Sequence, residues 1–194
     1  MLTERKKSRC SVIFTGHMID LETRQEPRFP AKLEHIAGAA ILLALRRLRE
    51  ESEGDLVGLS SAARGGDLLF LEACQRLMIE AFVVIPFSRE KFAETSVVGV
   101  ASGCWLERYN KMLDHLGPSQ VEVMSETPSP QAFDKCNLRL LEAASSMCQQ
   151  VVLLALVDSD SVQESGGTAH FVAKVRDTGG RVEIIELNKL RTSY

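Results

Sequence analysis

The chain has 194 residues, 45% of them hydrophobic and 25% charged, with a formal net charge of −3 at pH 7. That length suits one domain with a full core, spanning residues 1–194, and the composition excludes an intrinsically disordered chain. The acidic balance excludes a general attraction to polyanions; the basic residues Lys6, Lys7 and Arg9 read as a solvated tail.

The first β-rich run is Ser11–Thr15, apolar on both faces as a buried parallel strand requires, and it stops at Gly16. A loop with Pro27 and Pro30 leads into a long amphipathic helix on which Leu33, Ile36, Ala37, Ala40, Ile41, Ala44, Leu45 and Leu48 recur at helical spacing. Asp55–Leu59 is the second strand, Ser60–Gly66 a loop of small residues, and Asp67–Ile79 a second helix. Ala81–Ile85 is the third strand, stopped by Pro86, followed by a short helix around Arg89–Glu94. Trp105–Leu116 is helical up to Gly117-Pro118, with Trp105, Tyr109 and Leu113 on one face as core or interface. Val121–Met124 is a minor strand and Gln131–Gln149 a helix. Val151–Val157 is the most buried strand, Thr168–Asp177 a helix stopped by Gly179-Gly180, and Arg181–Leu187 the last strand. This alternation predicts a Rossmann-like α/β three-layer sandwich around a mainly parallel sheet of about five strands.

The five cysteines, Cys10, Cys74, Cys104, Cys136 and Cys148, are scattered and show no metal or redox spacing. They read as small buried hydrophobes in a reducing compartment. No charged-then-apolar leader opens the chain, and the longest apolar runs are too short to span a bilayer. The expectation is therefore a cytoplasmic protein with no membrane partner.

Ligands in open α/β sheets sit beyond the carboxyl ends of the strands, so the residues that follow each strand are the candidates. These are Gly16, His17 and Asp20 after the first strand, and Ser60, Ser61, Arg64, Gly65, Gly66 and Asp67 after the second. Pro86 follows the third, and Asp158 and Asp160, then Gly166, Gly167 and Thr168, follow Val151–Val157. Glycine lets backbone N–H groups approach an anion, and a helix N-terminus offers unpaired donors with partial positive charge. Arg64 adds a charge-assisted contact, and Asp158 or Asp160 accepts from ribose hydroxyls. Taken singly, Gly65-Gly66 is also a tight turn with Asp67 as helix cap, and Glu72 is also an exposed helix glutamate. The joint occurrence on successive strands favours a phosphate-binding cleft. The chain has no dinucleotide fingerprint, P-loop or nucleophile elbow, and His17, His35, His115 and His170 have no metal spacing, so neither a cofactor nor a metal is expected.

Gly58–Ala73 resembles the S-G-x-A-x-G-x-D stretch of the DNA-processing protein A Rossmann domain, and Gly166–Ile185 resembles the segment that closes it. With Val12–Gly16, these place the chain in what looks like the SLOG superfamily, which joins that protein to the LOG phosphoribohydrolases. The motifs G-H-M-I-D at Gly16–Asp20, R-F-P at Arg28–Pro30, S-S-A-A-R-G-G-D at Ser60–Asp67 and W-x-x-R-Y at Trp105–Tyr109 resemble a bacterial, signalling-associated branch. The resemblance implies a domain that binds nucleotides or nucleotide-derived signals, with a signalling effector or a further copy of the chain as partner. Where the LOG enzymes carry a catalytic glutamate, Thr168 is followed by Ala169-His170-Phe171, which implies binding rather than turnover. Two rivals stand beside that expectation. One is an N-glycosidic or phosphoribosyl hydrolase using Asp20, Asp67 or Glu72; the other is a single-strand nucleic-acid binder, which the acidic balance disfavours.

Overall fold

The computed structural model describes residues 8–52, 55–158 and 167–191. Six strands are described: β1 (Ser8–Gly16), β2 (Leu56–Ser60), β3 (Glu80–Ile85), β4 (Val121–Val123), β5 (Cys148–Val157) and β6 (Arg181–Glu186). They form one sheet in the order β4-β3-β2-β1-β5-β6, and every neighbouring pair is parallel. The helices are α1 (Glu34–Glu51), α2 (Gly66–Arg76), α3 (Arg89–Ser96), α4 (Trp105–Leu116), α5 (Pro130–Met147), α6 (Gly167–Asp177) and α7 (Leu187–Arg191). The four apolar runs that dominate the sequence are the four inner strands, β3, β2, β1 and β5. Burial on both faces explains their unbroken hydrophobicity, with Ile13 and Leu153 wholly buried on one face and Val12 and Leu154 on the other.

Two cores result. Phe14, Ile41, Leu45 and Phe70 pack on the face covered by α1, α2 and α4, while Ile13, Leu59, Leu140, Leu153 and Phe171 fill the face covered by α5 and α6. Trp105, Tyr109 and Leu113 are buried in the first core, as their helical spacing predicts. Four cysteines are buried, but Cys104 is exposed, because it sits at the start of α4 rather than on an inward face.

Boundaries shift where local geometry overrides periodicity. α2 ends at Arg76 instead of Ile79, because exposed Met78 turns into the left-handed region (φ 54°) and Ile79 N–H bonds back to Cys74. Between α5 and β5 there is no loop: Met147 ends the helix and Cys148 begins the strand. Val121–Val123 earns its place in the sheet through pairing with β3 at the edge, which makes the sheet six-stranded rather than five. No described helix is long and apolar enough to cross a membrane.

Candidate ligand cleft beyond the first strand

Strand order reverses between β1 and β5: successive strands run outward from β1 through β2 and β3 to β4, whereas β5 returns to the other side of β1. Such a switch point opens a crevice at the carboxyl edge. β1 ends there at Gly16, where a Cβ would lie 2.9 Å from Phe14 Cε1 and 3.0 Å from Leu156 Cβ. His17 then bridges the two strands. Its N–H donates to Leu156 O at 3.0 Å, and its Nε2 accepts from the N–H of Asp158 at 3.2 Å. Burial, reinforced by Arg28, holds His17 well below the ordinary histidine value, at about 4, so the ring is neutral at pH 7.

The loop after His17 is pinned by its own backbone. Asp20 N–H donates to Phe29 O at 2.9 Å, and Asp20 Oδ2 accepts from Phe29 N–H at 2.8 Å. Ile19 and Phe29 are wholly buried anchors, and Arg24 Nε lies 3.5 Å from Asp20 Oδ1. Between these anchors lies a cleft of about 410 Å³ lined by His17, Met18, Asp20, Leu21, Arg24, Arg28 and Arg64. Arg24, Arg28 and Arg64 thus line one cleft with the carboxylate Asp20. Sequence reasoning missed Arg24 and Arg28 as lining residues. Their four-residue spacing in an irregular loop carries no periodic signal, and R-F-P registered only as part of a motif.

The glycines of the β2–α2 loop act on the protein's own backbone. A Cβ on Gly65, whose φ is +90°, would lie 2.5 Å from Ile19 N, and one on Gly66 would lie 2.9 Å from Phe14 Cε1. Their lack of side chains lets this loop press against the loop that follows β1. Gly66 N–H donates to His17 O at 3.2 Å, Arg64 N–H to Ser96 O at 3.0 Å, and Ala63 N–H to Asp67 Oδ2 at 3.2 Å. Of the donors expected to cradle phosphate at Gly65–Asp67, Gly66 N–H is therefore engaged within the fold.

Arg64 is likewise committed. Only 5% exposed, it donates from Nε to Ile19 O at 3.0 Å and from Nη1 to Val98 O at 3.1 Å. It ties the β1, β2 and α3 loops together, and its charge reaches the cleft from behind these carbonyls. Asp67, in the first turn of α2, is buried. Desolvation pushes its carboxyl up to about 7, partly offset by the Ala63 N–H.

The remaining described candidates do not line this cleft. Ser60 shares the α2-facing side of β2 with Gly58; it is wholly buried, and its Oγ has no hydrogen-bond partner among the described residues. Ser61 Oγ lies 3.5 Å from Cys136 Sγ of α5, and Pro86 O accepts from Glu126 N–H at 2.8 Å on the far side of β3. Asp158 meets His17 and lies 3.9 Å from Arg191. Gly167 and Thr168 start α6 in the opposite helical layer; Asp160 and Gly166 lie outside the described residues. Glu72 turns away from the cleft. Both its carboxylate oxygens take Arg108, at 2.7 Å each, and Arg108 also reaches Glu34 at 2.6 Å, because this position of α2 faces α1 and α4. Among the described residues no group of three or more His, Cys, Asp or Glu side chains is placed to hold a metal ion.

No family model and no curated protein matches the chain. A solved structure does: DNA processing protein A from Streptococcus pneumoniae is 12% identical with a TM-score of 0.43, and the match covers 90% of this chain and 58% of that one. The chain thus spans less than two thirds of that protein's length, and likeness at this level adds no argument about the site.

Proposed function

We propose that the chain binds a phosphate-bearing, nucleotide-type ligand in the cleft beyond β1, as a sensing module. One observation carries this reading. In a protein of net charge −3, Arg24, Arg28 and Arg64 converge on a cleft that holds the single carboxylate Asp20. That is the charge distribution an anion recognises, at the switch point where α/β sheets place ligands. Exposed Arg28 makes no ion pair among the described residues, which leaves its planar fork available for two phosphate oxygens.

The rival reading, hydrolysis of the bound nucleotide, would fall to Asp67, which sits under the Ala63–Arg64 turn and does not line the cleft. A buried carboxyl titrating near 7 suits general acid–base work at neutral pH. Calorimetric titration with purine mono- and diphosphates and with inorganic phosphate tests the binding. Arg28→Ala should weaken it by roughly ten- to a hundredfold, the worth of one charged hydrogen bond. Equal binding by wild type and Arg28→Ala would overturn the assignment of the cleft, and preference for an oligonucleotide over every mononucleotide would move the reading to single strands. Chromatography of the same mixtures decides on turnover: release of free base or phosphoribose that Asp67→Asn abolishes establishes the hydrolase.

A further inference from the structure

A larger cleft, of about 850 Å³, opens beside the start of α4 between the segment Val97–Val100 and the residues Trp105, Leu106, Asn110 and Lys111. Its size falls in the range of small-molecule sites. The two clefts share a wall. Arg64 lines the arginine cleft and holds Val98 O, and a Cβ on Gly99 would lie 3.1 Å from Leu21 Cδ2, so Leu21 rests against the same segment from the other side. Of the ten large hydrophobic residues exposed among the described ones, four stand at these two clefts: Met18, Leu21, Val98 and Leu106. A cationic cleft and a mixed one, in which Val98 and Leu106 stand beside Glu107, Lys111 and Asp114, therefore adjoin across one strap of backbone.

In the wall of the cleft beside α4 a donor lacks an acceptor. Trp105 is 2% exposed, and its Nε1 is shut from solvent with no hydrogen-bond partner among the described residues. Arg108 covers a face of the indole at 4.0 Å. Near Nε1 stands Gly103, where a Cβ would lie only 2.7 Å away. The missing side chain lets this turn close directly over that edge of the indole. A buried N–H without a partner is costly, and an acceptor presented at this turn would relieve it.

We infer that the cleft beside α4 seats the planar nitrogen heterocycle of the nucleotide whose phosphate lies in the arginine cleft. The inference rests on the reading given above for that neighbouring cleft. Val98, Val100 and Leu106 offer apolar surface to a flat ring. With the Gly103 turn displaced, a ring nitrogen or carbonyl of the base supplies the acceptor that Trp105 lacks. Asn110, one turn beyond Leu106 on the same side of α4, brings an amide able both to donate to and accept from a base edge.

Trp105 is the only tryptophan in the chain, so intrinsic emission reports on this cleft alone. Adenosine, guanosine, adenosine 5′-monophosphate and inorganic phosphate are titrated separately, with emission and equilibrium dialysis as parallel readouts. At least one nucleoside should be retained and should change the emission saturably. Leu106→Glu, at an exposed position that leaves the fold intact, should raise the concentration needed by about tenfold or more, and Asn110→Ala should weaken binding as well. Arg28→Ala should leave the nucleoside response unchanged and weaken only the monophosphate. If neither nucleoside is retained or alters the emission, or if Leu106→Glu leaves nucleoside binding unchanged, the inference is overturned, whatever phosphate does. Should nucleosides bind while phosphate and monophosphate gain nothing from Arg28, the reading of the arginine cleft fails and the base site stands.

Discussion

Arg64 Nε sits 3.0 Å from the carbonyl oxygen of Ile19, so a buried cation from the loop after β2 holds down the loop after β1. The same guanidinium reaches Val98 O at 3.1 Å. A residue placed by the sequence in a ligand-contacting role thus acts as a clamp on the walls of two clefts.

Removing that clamp should loosen the cleft before it weakens any single ligand contact. Arg64→Ala leaves the buried Ile19 carbonyl and the part-buried Val98 carbonyl without their donor, at a cost of about 1.5–3 kcal/mol. Arg64→Lys should recover only part of it, since one ammonium cannot reproduce a planar fork directed at two carbonyls. Urea unfolding midpoints of the three proteins check this; equal midpoints for wild type and Arg64→Ala would dismiss the clamp.

Gly65→Ala should destabilise more than an ordinary glycine-to-alanine change. The residue has φ +90°, and the new Cβ would press on Ile19 N at 2.5 Å, against backbone that cannot rotate away. Left-handed strain alone is of order 1–3 kcal/mol, with the clash added to it. Hydrogen exchange should show lost protection first at Gly66 N–H, which bonds to His17 O. Unchanged protection there would contradict the close approach.

Two groups set opposing pH dependences. His17 is lowered to about 4 from an ordinary 6.5, so between these values the unfolded chain binds more protons and stability rises with pH. The stabilisation from neutral His17 is complete above about 6.5 and lost as pH falls towards 4. Asp67 is raised from 3.8 to about 7, so across that window the folded chain binds more protons and stability falls as pH rises. Wild-type stability should therefore vary little through the overlap. Asp67→Asn should unmask a rise with pH, and His17→Gln a fall; urea midpoints across the window check both slopes. Parallel curves for wild type and both variants would refute the assignment.

Glu72→Gln should leave ligand binding unchanged while weakening the stitch between α2 and α4. Arg108 keeps its contact with Glu34 but loses a two-pronged carboxylate at 2.7 Å. The half-buried setting limits the loss to about 1 kcal/mol. A fall in nucleotide affinity without loss of stability would return Glu72 to the list of site residues.

The sheet was legible in the sequence because its signal is local. Strands buried on both faces must be continuously apolar, and Ser11–Thr15 and Val151–Val157 are. The helices between them must show one apolar stripe, as Ile41, Leu45 and Leu48 do. Gly16 and His17 were legible as residues at a strand's carboxyl end for the same reason. The partners of the glycines and charges were not. Whether Gly65 meets a phosphate or the backbone of Ile19 depends on how two loops 45 residues apart in the chain come together, a distance that neither composition nor periodicity encodes. Arg64 and Glu72 both look like available charges in the sequence, yet one is buried against carbonyls and the other is held by Arg108. Arg24 and Arg28 look like an exposed loop and emerge as the cationic wall of the cleft, because Asp20 closes that loop on Phe29. Local propensity determined which segments became strands and helices; packing between loops distant in the chain decided where each charge was held.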